Sequence, residues 1–168
     1  MDRKNFLKQT AVTAAGSTLL PFFSFANNDR TINEPLPAEK VKEFVAAGHN
    51  NLGKVKTMLA EMPTLLYATW DVGNGDFETA LEGAGHVGDK EIAKYLIGLG
   101  ARTNLFVLTM LGKTQLVKAF LELYPNYLYA RGPHGLTLLH HAKRGGEEAE
   151  ELFAYLQMKG LKEMKAPL

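Results

Sequence analysis

Residues 79–104 read T-A-L-E-G-A-G-H-V-G-D-K-E-I-A-K-Y-L-I-G-L-G-A-R-T-N, and they restrict the fold more than any other stretch. Thr79 is placed to cap a short helix that carries Leu81 and Ala84 on one face. Gly88 suits a left-handed turn, which other residues adopt only at a cost. A second helix follows, with Ile92, Tyr95, Leu96 and Leu99 at helical spacing, and Gly98 and Gly100 end it. Two short helices joined by a glycine turn cannot bury their apolar stripes alone. The stretch therefore requires neighbours of its own kind.

This stretch resembles an ankyrin repeat, whose pattern runs T-P-L-H-x-A-x-x-x-G, then an apolar helix, then G-A-x-x-N. Thr79, Leu81, Ala84, Gly88, Ile92, Leu96, Gly100, Ala101 and Asn104 match it, while Ala80 and Glu82 stand where Pro and His are usual. Thr137-Leu138-Leu139-His140-His141-Ala142, with Gly146 as the turn, matches again, with Leu138 for Pro. The resemblance implies an all-α solenoid of about four stacked helix-turn-helix units over residues 38–160. Such scaffolds usually bind another protein.

The remaining units are read from the residues. Val41, Phe44 and Val45 mark a first helix from Ala38, with Asn50 in the place of the turn glycine. Val55, Met58 and Leu59 mark a second helix over 52–61. Val55-Lys56, Leu59, Pro63, Leu66, Tyr67 and Ala68 recur at one constant offset as Val117-Lys118, Leu121, Pro125, Leu128, Tyr129 and Ala130. In both places proline should stop a helix and an apolar turn, 65–68 or 127–130, should pack into the core. The third unit starts at Thr103-Asn104-Leu105 and turns at Gly112. Terminal units match weakly, as expected where one side faces water. Residues 161–168 read as a polar tail.

Residues 1–26 read as an export signal, with Arg3, Lys4 and Lys8 before a moderately apolar stretch and Ser24-Phe25-Ala26 as a cleavage site. Asp2-Arg3-Lys4-Asn5-Phe6-Leu7-Lys8 resembles the twin-arginine signal S-R-R-x-F-L-K, but Lys4 replaces the second arginine, so the general secretory route stays open. The expectation is a periplasmic or secreted protein, with residues 27–37 as a linker and no membrane contact in the mature form. A 46% apolar composition suffices for a packed core. The net charge of +1 is too balanced to favour nucleic acid as partner. There is no cysteine, which excludes disulfides, thiol catalysis and zinc–thiolate sites.

No catalytic, cofactor or metal set stands out. Gly83–Gly88 spells G-x-G-x-x-G, but no strand is expected before it and its glycines fall inside the ankyrin register. Gly112-Lys113-Thr114 lacks the first glycine of a phosphate loop. His140 and His141 are adjacent and so diverge by about 100° on a helix. His49, His86 and His134 look scattered, without carboxylates at ligand spacing. No serine follows residue 26, which removes a serine nucleophile. Asp71–Asp76 lacks the ligand spacing of a calcium loop and reads as a flexible polar finger. The chain is expected not to be an enzyme.

The expected role is recognition of another protein through loop tips and the concave face. Trp70, Asp71, Asn74, Asp76, Phe77, Glu78, Arg131, Pro133 and His134 would come from the loops, and Glu82, His86, Phe106, Met110, His141 and Arg144 from the first helices. Trp70 and Phe77 either anchor a partner, as aromatics often do, or cover the core beneath the finger. Two alternatives remain: an accessory factor for a periplasmic redox enzyme, and a small-ligand or metal carrier using the 71–78 finger and the histidines.

Overall fold

The computed structural model describes residues 34–166. The expected export signal, and the linker up to residue 33, lie outside the described residues. The described chain is mostly helical, with one two-stranded hairpin. None of its helices is long and apolar enough to cross a membrane.

The helices come in pairs. Helix α1 (Ala38–Ala47) buries Val41, Phe44 and Val45, and α2 (Leu52–Glu61) buries Val55, Met58 and Leu59. The Asn51 side chain caps α2 by accepting from the Lys54 amide at 2.9 Å. Strands β1 (Thr69–Asp71) and β2 (Phe77–Thr79) follow and run antiparallel. Helix α3 (Ala80–Val87) opens on a capping box: Thr79 Oγ1 accepts from the Glu82 amide, and the Glu82 carboxylate accepts from the Thr79 amide. Asp89 caps α4 (Lys90–Gly98), and Asn104 caps α5 (Leu105–Met110). Helix α6 (Thr114–Leu123), α7 (Leu138–Gly145) and α8 (Glu150–Met158) complete the set.

The first helices α1, α3, α5 and α7 lie side by side in that order, and α3 also touches α7 directly. Helix α5 feeds two apolar cores at once. Its Val107 and Met110 belong to the core of the first two pairs, while Leu105 and Phe106 belong to that of the last two. The offset repeat seen in the sequence has a structural counterpart. Pro63–Tyr67 and Pro125–Tyr129 each form a five-residue 3-10 helix ending in an extended alanine.

Four expectations are corrected. Asn50 does not take the left-handed conformation; among the described residues other than glycine only Asn74 and His134 do. The corner is instead made by Gly48, which ends α1 in right-handed conformation, and Asn51, which caps the next helix. The turns at 65–68 and 127–130 bury Leu65, Ala68 and Leu128, while Tyr67, Tyr127 and Tyr129 are exposed, because a 3-10 turn buries only one side. The polar finger is an ordered hairpin. The tail folds back: the Thr137 amide donates to the Met164 carbonyl, the Ala166 amide to the Gly135 carbonyl, and Leu161 is buried.

Gly88 fits its turn for two reasons. Its φ is +86°, and a Cβ there would lie 2.8 Å from the Arg144 carbonyl oxygen of α7. Gly88→Val should therefore destabilise the domain by more than the ~1–2 kcal/mol of a left-handed residue alone. Urea unfolding measures this, and an unchanged midpoint would show that the turn does not hold α3 against α7.

Candidate functional site

The hairpin carries the exposed Phe77 and four acidic side chains, Asp71, Asp76, Glu78 and, at the start of the next helix, Glu82. Strand alternation sends Glu78 inward and Phe77 outward: the Glu78 side chain is 2% exposed and Phe77 is 58% exposed. Trp70 pairs with Glu78 across the strands, is half-buried against the first core, and carries Lys42 Nζ 5.8 Å from its ring centroid. At the tip, Asp71 Oδ1 accepts from the amides of Gly73 and Gly75, at 2.9 and 3.1 Å. That carboxylate holds its own turn.

Asp76 reaches across to the turn that precedes α7. Its carboxylate accepts from the His134 amide at 2.9 Å and from His134 Nδ1 at 2.9 Å. His134 has φ +61°, so this clasp holds a backbone conformation that non-glycine residues seldom adopt. Between finger and turn lies a cleft of about 580 Å³, lined by Asn74, Asp76, Phe77, Glu82, Phe106 and Arg131 together with Pro133 and adjoining glycines. Glu82 is tied by the capping box and by Asn104 Nδ2, which donates to it at 2.6 Å.

Of the residues expected at a recognition surface, some are brought together and others are not. Asn74, Asp76, Phe77 and Arg131 meet at one cleft, with His134 behind it. Asp71 is exposed at the finger tip, and Arg144 is exposed on α7 away from the cleft lining. Three expectations are corrected: Glu78, Met110 and His141 are buried and present no surface to a partner. Met110 lies on α5, which is enclosed by both cores. His141 packs at 5.2 Å from the Phe106 ring, and its Nδ1 donates to the Thr137 carbonyl at 2.8 Å.

A second correction concerns the histidines. His49, His86 and His134 are not scattered. Their ring nitrogens and the Glu78 carboxylate all lie within 4.8 Å of one another. His86 Nε2 is 2.7 Å and His134 Nε2 is 3.5 Å from Glu78 Oε1; His49 Nε2 is 3.6 Å from Glu78 Oε2 and 3.0 Å from His86 Nε2. His49 follows α1, Glu78 sits on β2, His86 on α3, and His134 before α7. His140 Nε2 donates to the His86 carbonyl at 2.8 Å, so α7 and α3 are also tied beside the cluster. Nothing in local spacing marks this group, because its members come from three separate units.

His140 and His141 are structural. Burial lowers the pKa of His140, and it pushes His141 from its ordinary 6.5 down to about 4. A histidine whose folded pKa is depressed favours the fold at neutral pH and opposes it as pH falls below the unfolded value. Stability should therefore drop between pH 6.5 and 4, by on the order of 3 kcal/mol from His141 alone. His141→Gln should flatten that part of the profile relative to the unmodified chain, with the other histidines common to both. Parallel urea midpoints from pH 7 to pH 5 would contradict this assignment. Compared with family models, curated proteins and solved structures, the chain matches none, so the geometry carries the reading that follows.

Proposed function

We propose that the chain is an exported, ankyrin-type repeat scaffold that recognises another protein through the cleft between its finger and the turn at Arg131–Gly135. The repeat reading is supported by the row of first helices, the threonine caps at Thr79 and Thr137, and the matching 3-10 turns after Pro63 and Pro125. Export is supported by the basic start and the Ser24–Ala26 site.

The observation that carries the recognition reading is Phe77. A large apolar side chain is held 58% exposed on a paired strand, at the edge of a cleft whose other side carries Arg131. A rigid hairpin loses little ordering entropy when a partner docks, so an exposed aromatic there gives affinity without bulk charge. Trp70 is a poorer anchor, since it already packs on the core.

The test is affinity capture from periplasmic extract with residues 27–168 as bait, beside a Phe77→Ala bait. We expect one protein retained by the first and reduced at least tenfold on the second, with equal melting temperatures. The same proteins on both baits would overturn the role of Phe77.

A further inference from the structure

We propose that His49, Glu78, His86 and His134 bind a divalent transition-metal ion, with zinc as the best fit. This goes beyond the recognition reading and does not depend on it.

The first argument is donor geometry. All three imidazoles present Nε2: His86 and His134 lie 2.7 and 3.5 Å from Glu78 Oε1, His49 lies 3.6 Å from Glu78 Oε2, and His49 and His86 lie 3.0 Å apart. Four ligands ~2.0–2.1 Å from a tetrahedral zinc lie ~3.3 Å apart, so these separations bracket the required edge. No donor pair in the group exceeds 4.8 Å, so binding one ion would close the longest edge by at most about 1.5 Å and open the two shortest slightly.

The second argument is proton bookkeeping. His49 Nδ1 donates to the Val45 carbonyl at 3.1 Å, and His134 Nδ1 donates to the Asp76 carboxylate at 2.9 Å. A neutral imidazole protonated at Nδ1 has a lone pair at Nε2. Two lone pairs and a carboxylate therefore face one another. His86 Nε2 can bring one proton, and its aligned contact is with His49 Nε2. Glu78 Oε1, although 2.7 Å from His86 Nε2, is fully buried with no aligned hydrogen bond. Charging all three rings would crowd three cations against one carboxylate. A single metal ion satisfies every acceptor at once.

The surroundings are those of a ligand set. Metal-bound histidines characteristically donate their other ring nitrogen to a carbonyl or carboxylate, which fixes the tautomer and ring orientation. His49 and His134 do this here, donating from Nδ1 to the Val45 carbonyl and the Asp76 carboxylate. Gly83 on α3 provides the space: a Cβ there would lie 2.9 Å from the His49 ring. His49 and His134 are 27% and 28% exposed, so an ion has a path in from solvent. Three nitrogens and one oxygen suit zinc, cobalt or nickel better than calcium or magnesium, which take oxygen ligands. The ion would join the corner after α1, the finger, α3 and the turn before α7. Two of its ligands adjoin the cleft: Glu78 follows Phe77, and His134 follows Pro133.

The test uses the full chain, stripped with chelator and titrated with Zn²⁺ by calorimetry and with Co²⁺ by visible absorption. We expect one ion per chain, intense tetrahedral cobalt bands, and a raised melting temperature with zinc. His134→Gln, at a partly exposed position, should weaken zinc binding at least 100-fold. Asp76→Asn removes no ligand and should weaken it roughly 10–100-fold while keeping one site per chain. Absence of binding by the unmodified chain would overturn the proposal, as would zinc affinity unchanged in His134→Gln. If circular dichroism shows that His134→Gln does not fold, Asp76→Asn decides: an affinity equal to the unmodified chain's would overturn the assignment.

Discussion

Glu78 is a carboxylate buried to 2% exposure, where the finger meets side chains from the corner after α1, from α3 and from the turn before α7. Taking an uncompensated carboxylate out of water costs several kcal/mol. The chain places it there by strand alternation, since the same hairpin that exposes Phe77 must turn Glu78 inward. Three imidazoles then converge on it from the corner after α1, from α3, and from the turn before α7. Two of them are themselves oriented: His49 by the Val45 carbonyl and by the space at Gly83, His134 by Asp76.

The helical stack makes this convergence possible. Helices α1, α3, α5 and α7 lie in a row, but α5 is only six residues long, and α3 and α7 touch past it. That contact brings His134 and His140 of the last unit to His86 of the second. Gly88, against the Arg144 carbonyl, permits the approach. Cleft and cluster are thus two sides of one junction. Asp76 lines the first and orients a histidine of the second.

Much of the local structure was legible in the sequence because it depends on near neighbours. Thr79 caps the helix that follows it, the left-handed Gly88 ends that helix, and the prolines at 63 and 125 stop theirs. The cleft was legible in part, since Asn74, Phe77 and Arg131 sit on loop tips that stacked units bring together. The histidine cluster was not. His49, His86 and His134 carry no shared spacing, and only the α3–α7 contact unites them. Burial of Met110 and His141 was equally hidden, because helical periodicity does not show that α5 is enclosed on both sides. Asn50 misled for a local reason: Gly48, two residues earlier, already ends the helix.

The central claim is that the buried carboxylate and its three imidazoles are ligands of one ion. Crystals of the zinc-loaded full chain, measured on both sides of the zinc absorption edge, test it most directly. The account requires one anomalous peak per chain, ~2.0–2.1 Å from Nε2 of His49, His86 and His134 and from a Glu78 oxygen. An empty centre, with a water hydrogen-bonded to Glu78 Oε1 and the imidazoles turned away from it, would contradict it.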